Sequence, residues 1–130
     1  MKYKLRLMII DDEPIVGKRL KRLLEKDGFN VETFTRGSLA TEELAKDRYD
    51  IVITDLKMGK VDGMQILETA LTANPDVKVI IISGFSKVEI FNEAFRKGAF
   101  AFIIKPFKID ELKKILSEAV IQIKSKYQTN

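Results

Sequence analysis

The sequence predicts a three-layer α/β sandwich, a parallel sheet with helices on both faces. Three observations carry that expectation. Five short strand-like segments alternate strictly with segments of helical periodicity, the pattern of β-α-β crossover units. One apolar run, Val77 to Ile82, is nearly continuous, as a strand covered on both faces requires. Four of the five strands stop on a polar functional group, the property of a sheet whose carboxyl edge forms a ligand crevice.

The elements follow in chain order. Leu5 to Ile10 is apolar apart from Arg6 and breaks into Asp11, Asp12, Glu13 and Pro14; proline suits the first turn of a helix. Val16, Leu20, Leu23 and Leu24 recur at helical spacing up to Asp27-Gly28, where glycine supplies the stop. Lys18, Arg19, Lys21, Arg22 and Lys26 lie off that stripe and read as a solvated face. A short strand around Val31 to Phe34 follows, then a helix from about Ser38 to Lys46 carrying Leu39 and Leu44. Ile51 to Thr54 is β-branched and apolar enough for a buried strand, yet it runs directly into Asp55.

Beyond the loop Lys57 to Val61, Asp62 is suited to cap a helix bearing Met64, Leu67, Ala70 and Leu71, closed by Asn74-Pro75. The Val77 to Ile82 strand ends at Ser83. Ser86 and Glu89 have capping-box spacing for a helix reaching Lys97 and stopped by Gly98. Ala99 to Ile104 is the fifth strand, ended by Lys105-Pro106. The last helix spans about Ile109 to Lys124, with Leu112, Ile115, Leu116, Ala119 and Ile123 on one face and a polar tail from Ser125 to Asn130.

With 130 residues the chain suits one domain, residues 1–130, with a core of about 5–124. It has no cysteine and no histidine, which removes thiol chemistry, disulfides, imidazole bases and soft metal sites. Oxygen-ligand metal chemistry remains. The net charge of +4 is spread along the chain with acids between the bases, so direct nucleic-acid binding is not favoured. No apolar run approaches the roughly 18 residues of a membrane helix, and the basic N-terminus leads into too short a run for a signal peptide, so a cytoplasmic location is expected.

In the flavodoxin-like strand order 2-1-3-4-5, the first and third strands flank the switch point, bringing Asp11, Asp12 and Asp55 together. Three carboxylates in one crevice repel unless a proton or cation intervenes, and Mg²⁺ is the hard cation suited to a few carboxylates plus phosphate oxygens. Lys105 and Ser83 then supply an ammonium and a hydroxyl for the oxygens of a phosphoryl group. No G-x-x-x-x-G-K-[ST] or G-x-G-x-x-G loop is present to cradle a nucleotide, so the phosphoryl group is expected on another molecule, with Asp55 as its acceptor. Taken singly these residues have plainer readings. An Asp pair caps helices, a serine makes turns and a lysine lies on the surface. Their common edge is what distinguishes them.

From Leu5 to Val120 the chain resembles the receiver domains of bacterial two-component response regulators. The resemblance rests on Asp11-Asp12, Asp55, Met58, Asp62-Gly63, Ser83 followed by glycine, Gly98-Ala99 and Lys105-Pro106-Phe107, in this order and spacing. It implies that Asp12 and Asp55, with the backbone carbonyl of Lys57, ligate Mg²⁺, with Asp11 acting through water. A cis peptide before Pro106 is implied as well. Phosphorylation of Asp55 would draw in Ser83, with Phe102 following. That movement would bias a face made by the fourth helix, fifth strand and fifth helix, where Phe91, Phe95 and Phe100 concentrate and where a dimer could form.

The implied partners are a sensor histidine kinase or phosphotransfer protein, with nucleic acid reached only through an output domain outside this chain. Gly59 departs from the family's usual proline. Lys57 and Phe85 fall at positions that resemble the family's rate-setting sites. Competing readings are an interaction module that no longer uses phosphate, a Mg²⁺-dependent phosphatase, and a flavin carrier. The second Asp and cap domain of the phosphatase are missing, and the acidic first loop would repel the phosphate of a flavin.

Overall fold

The computed structural model describes residues 4–57, 61–84 and 87–128, with side chains described as far as residue 126. Five strands and five helices alternate: β1 (Arg6–Ile10), α1 (Pro14–Lys26), β2 (Asn30–Phe34), α2 (Gly37–Lys46), β3 (Ile51–Asp55), α3 (Gly63–Ala73), β4 (Lys78–Ser83), α4 (Val88–Arg96), β5 (Ala101–Ile104) and α5 (Ile109–Gln128). The strands form one parallel sheet in the order β2-β1-β3-β4-β5, as the sequence predicts.

Successive strand side chains point to opposite faces, and the core divides accordingly. Met8, Ile10, Val52, Val79 and Ile81 pack with Ala40, Leu44, Ile66, Leu67, Ala70 and Ala94, the inward positions of α2, α3 and α4. Leu7, Ile9, Ile51, Ile53, Ile80 and Ile82 pack with Leu20 and Leu24 of α1 and Leu112, Leu116, Ala119 and Ile123 of α5. The middle positions of the central strands are therefore apolar on both sides because both faces are covered.

Helix ends follow the local chemistry. Pro14 opens α1. Asp62 and Gln65 form a reciprocal capping box at α3, with Gln65 N–H donating to Asp62 Oδ1 at 3.0 Å and Asp62 N–H to Gln65 Oε1 at 2.8 Å. Gly28 and Gly98, which follow α1 and α4, have φ of 97° and 106°, the left-handed region that favours glycine.

Several boundaries differ from the sequence reading. Leu39 is exposed and Ala40 takes the inward position of α2, because that helix begins at Gly37 and its buried stripe runs through Ala40 and Leu44. β4 includes Ser83, and β5 starts at Ala101 rather than Ala99, since Ala99 N–H instead bonds Ala94 O at the end of α4. α4 begins at Val88 with Lys87 at its cap position and no side-chain cap; Ser86 of the expected capping box lies outside the described residues. α5 continues to Gln128, so residues 125–128 are helical rather than tail. No described helix is long and apolar enough to cross a membrane.

At the N-terminal edge of the sheet, polar groups are densely paired. Arg6 bridges Asp47 at 2.6 Å, lies 4.4 Å over the Tyr49 ring and donates to the Arg48 carbonyl at 3.1 Å. The buried Asp50 accepts the Arg6 backbone N–H at 2.8 Å, and Tyr49 donates its hydroxyl to Glu43 at 2.8 Å. Asn74, also buried, donates to the Tyr49 carbonyl and tethers the end of α3 there. These bonds leave the opposite edge to carry the site.

Candidate functional site

The carboxyl edge brings together the residues the sequence singled out. β1 pairs with β3 as far as Ile10 and Thr54, so the residues that follow on each strand, Asp11 and Asp55, emerge side by side. Asp11 is fixed by two backbone bonds: its N–H donates to Phe34 O at 3.0 Å and its Oδ1 accepts Glu13 N–H at 2.8 Å. Asp12, next along, is exposed. One carboxylate oxygen from each of Asp11, Asp12 and Asp55 lies within 4.8 Å of the others.

Lys105 supplies the opposing charge. Its backbone N–H donates to Ser83 O at 2.8 Å, and the Lys105-Pro106 peptide bond is cis, as the resemblance implies. Its Nζ lies 3.0 Å from each oxygen of Asp55 and 3.9 Å from Asp11 Oδ2. The ammonium thus forks the Asp55 carboxylate and leans toward Asp11. Ser83 ends β4, the strand between those bearing Asp55 and Lys105, and is 2% exposed.

The electrostatics follow from this crowding. Burial pushes the Asp11 carboxyl above its usual range. Asp55 and Asp12 push the same way, while the Glu13 N–H bond and Lys105 oppose them. Burial alone would lower the Lys105 ammonium. The hydrogen bond and charge of Asp55, with Asp11 and Glu13 behind it, outweigh burial and raise it. Lys105 is therefore a fixed cation at physiological pH, paired with two of the three clustered acids, Asp55 and Asp11.

That imbalance suits a hard divalent cation. The cluster offers only carboxylate oxygens, with no nitrogen or sulfur donor in this chain from His or Cys, and Mg²⁺ is held by one or two carboxylates plus waters and phosphate. The residues present fit such an ion, with Asp11, Asp12 and Asp55 as its candidates.

Other expected positions divide. Phe102 is half-buried on β5, its ring centroid 5.6 Å from that of Phe91, which is in turn 4.8 Å from Phe95. Phe91 and Phe95 are exposed, whereas Phe100 packs against the α1/α5 core. Lys57 is exposed just past Asp55. Met58, Gly59 and Phe85 lie outside the described residues. Sequence reasoning missed Thr54, whose hydroxyl donates to the Asp55 carbonyl oxygen at 2.9 Å. A hydroxyl immediately before a strand-ending acid was the signal available.

A parallel sheet in this order, with three acids opposite a cis-linked lysine at its carboxyl edge, defines a receiver module. Residues 7–117 match the family model "Response regulator receiver domain", and the chain belongs to that family. Among curated relatives, the transcriptional regulatory protein ZraR of Klebsiella oxytoca is 32% identical over 114 residues, 88% of this chain and 26% of the relative. The regulatory protein AtoC of Escherichia coli K12 is 33% identical over 115 residues, 88% of this chain and 25% of that protein. The chain thus spans about a quarter of the length of these relatives. A receiver domain protein of Clostridium thermocellum superposes with a TM-score of 0.82 at 32% identity, covering 92% of this chain and 97% of that one. Phosphorylation and Mg²⁺ binding at an acidic pocket are general features of this family, whose members are signalling modules of two-component systems.

Proposed function

We propose that this chain is a phosphoacceptor switch in which Asp55 takes a phosphoryl group from the phosphohistidine of a sensor histidine kinase or phosphotransfer protein. The observation that carries the reading is the fork of Lys105 Nζ, 3.0 Å from both Asp55 oxygens, inside a cluster with Asp11 and Asp12. An isolated surface carboxylate would have neither a fixed cation nor two acidic neighbours.

In the transfer, an Asp55 oxygen attacks phosphorus and the P–N bond to the imidazole breaks. The electron pair stays on the ring nitrogen, and the product is an acyl phosphate. Lys105 is poised to leave the carboxylate and neutralise a phosphoryl oxygen, and Ser83 to donate its hydroxyl to another. Asp11, Asp12, Asp55 and the Lys57 backbone carbonyl are the groups we assign to hold Mg²⁺. When bound, Mg²⁺ would supply charge neutralisation between carboxylates and phosphoryl oxygens.

Movement of Ser83 toward the phosphoryl group vacates space that Phe102 can follow, and Phe102 touches Phe91 of α4. The α4-β5-α5 face is therefore our candidate for the partner-facing or dimer surface. Lys57 and Phe85 are our candidates for setting how fast water removes the phosphoryl group, and with self-phosphorylation that hydrolysis is the only catalysis proposed. A receiver-like module indifferent to phosphate would have no use for all of Asp11, Asp12, Asp55, Ser83 and Lys105 at one edge.

The test is incubation with Mg²⁺ and acetyl phosphate followed by intact-mass analysis. Wild type should gain one phosphoryl group and Asp55→Asn none. Equal labelling of the two, or labelling of neither, removes Asp55 from the role.

A further inference from the structure

Asp55 is the first residue of β3 beyond the reach of β1. The β1–β3 pairing ends at Ile10 and Thr54, while β4 still pairs through Asp55 and Ile82. The nucleophile therefore sits where the sheet holds the backbone from one side only. Something else must set the direction of its peptide unit if the carboxylate is to meet Lys105 symmetrically.

Two residues converge on the Asp55 carbonyl oxygen. Thr54, which is 0% exposed, donates its hydroxyl to that oxygen at 2.9 Å. From the other side comes the first residue of α3: a Cβ placed on Gly63 would stand 2.5 Å from the same oxygen and 2.9 Å from Leu56 Cα. Gly63 N–H also donates to Leu56 O at 2.7 Å, and Leu56 N–H to Ile82 O at 3.1 Å. Behind this contact, Gly37 at the start of α2 lies so close to Val61 that its Cβ would stand 2.6 Å from the Val61 carbonyl oxygen. The start of α3 is thus seated against the Asp55 peptide with no room for a side chain.

We infer that Thr54 and Gly63 are positioning residues for the phosphoacceptor: the Thr54 hydroxyl and the bare Gly63 backbone clamp the Asp55 carbonyl and so fix where its carboxylate points. Neither touches the phosphoryl group. Thr54 acts by a hydrogen bond that a methyl cannot make, and Gly63 by an approach that a methyl would prevent. The inference rests on the proposed role of Asp55, and small misplacements of a reacting group cost rate steeply.

The test compares wild type with Thr54→Val, which keeps the shape and removes the donor, Thr54→Ser, which keeps the donor, and Gly63→Ala. Initial phosphorylation rates are measured against acetyl phosphate concentration, at a temperature where circular dichroism finds each variant folded. Thr54→Val should lose about tenfold in maximal rate with the half-saturating donor concentration unchanged, and Gly63→Ala should lose at least as much. Thr54→Ser should stay within about twofold of wild type.

A second readout needs no phosphoryl transfer: the Asp55 carboxyl ¹³C resonance in metal-free protein should move in Thr54→Val and Gly63→Ala and stay in place in Thr54→Ser. Wild-type rates in Thr54→Val or Gly63→Ala, or a Thr54→Ser variant as slow as Thr54→Val, overturn the inference. If wild type takes no phosphoryl group on Asp55, the functional reading falls, and the carboxyl resonance alone decides whether the clamp positions Asp55.

Discussion

Replacing Asp11 by Asn should make the metal-free protein more stable, and Mg²⁺ should erase the gain. The Asp11 carboxylate is 7% exposed and sits within 4.8 Å of oxygens from two other acids. At an effective dielectric of about 20, unit charges at that separation of 4.8 Å repel by roughly 3.5 kcal/mol. Lys105 at 3.9 Å attracts by roughly 4 kcal/mol on the same basis, so it offsets one acidic neighbour and leaves the other together with the cost of burial. Asp12 is exposed and screened, which brings the residual penalty down to the order of 1 kcal/mol.

Asn keeps an oxygen for the Glu13 N–H and drops the charge, so in chelator its melting temperature should rise by about 3–5 °C. Adding Mg²⁺ at about ten times its Kd stabilises wild type by about 1.4 kcal/mol through linkage and stabilises the variant less. The pH dependence has a definite sign. The folded-state pKa of Asp11 is raised, so its destabilising contribution is present at neutral pH and relieved as pH falls through that raised value. The advantage of the Asn variant in chelator should therefore shrink in acid. Thermal unfolding with and without Mg²⁺ checks each step. An Asp11→Asn protein less stable than wild type in chelator, or a gain that Mg²⁺ leaves intact, would refute the electrostatic account.

Three further outcomes are expected. Asp50→Ala should cost about 1–3 kcal/mol in urea unfolding by stranding the Arg6 N–H at the sheet's N-terminal edge, and Asp50→Asn, which keeps an acceptor, should cost less. Tyr49 has its pKa raised by burial and by its bond to Glu43. As pH rises past about 10 the unfolded chain therefore ionises first and stability declines, a decline that Tyr49→Phe should remove in alkaline unfolding curves. Phosphoryl decay followed by mass should quicken in Phe85→Ala and in Lys57→Asn if those side chains hinder water; unchanged lifetimes would discard that role.

The sheet order and both faces of the core were legible because the three central strands are largely apolar runs and each helix carries its own stripe. Legibility failed where a local signal competed with a tertiary one. Leu39 is the larger hydrophobe, but the register of α2 is set by Gly37 against Val61 and by Ala40, so Leu39 points outward. Ala99 looks like strand, yet its N–H still closes the end of α4 on Ala94 O; the contact with β4 begins one residue later, where Phe100 N–H bonds Val79 O. Asp11, Asp12, Asp55 and Lys105 could be named from the sequence because charged groups that end buried strands are expensive anywhere but in a site. Thr54 could not, since a threonine inside a β-branched run is indistinguishable by composition from one that merely packs.

The two edges of the sheet divide the work between them. At the N-terminal edge, Arg6 is matched to Asp47 and stacked on Tyr49, Tyr49 is bonded to Glu43, and Asp50 closes onto the β1 backbone. Charge and hydrogen bonding there are satisfied within the chain. At the carboxyl edge the Lys105 ammonium pairs with Asp55 and Asp11, two members of a cluster of three carboxylates. Among the described residues no buried side-chain polar atom is left without a partner, and the crowding of like charge at the carboxyl edge is what a site for a charged guest leads one to expect. On the proposed role of Asp55, the same crowding gives the inferred clamp its purpose: with its carbonyl oxygen held by Thr54 and approached by Gly63, a carboxylate among like charges stays directed at Lys105.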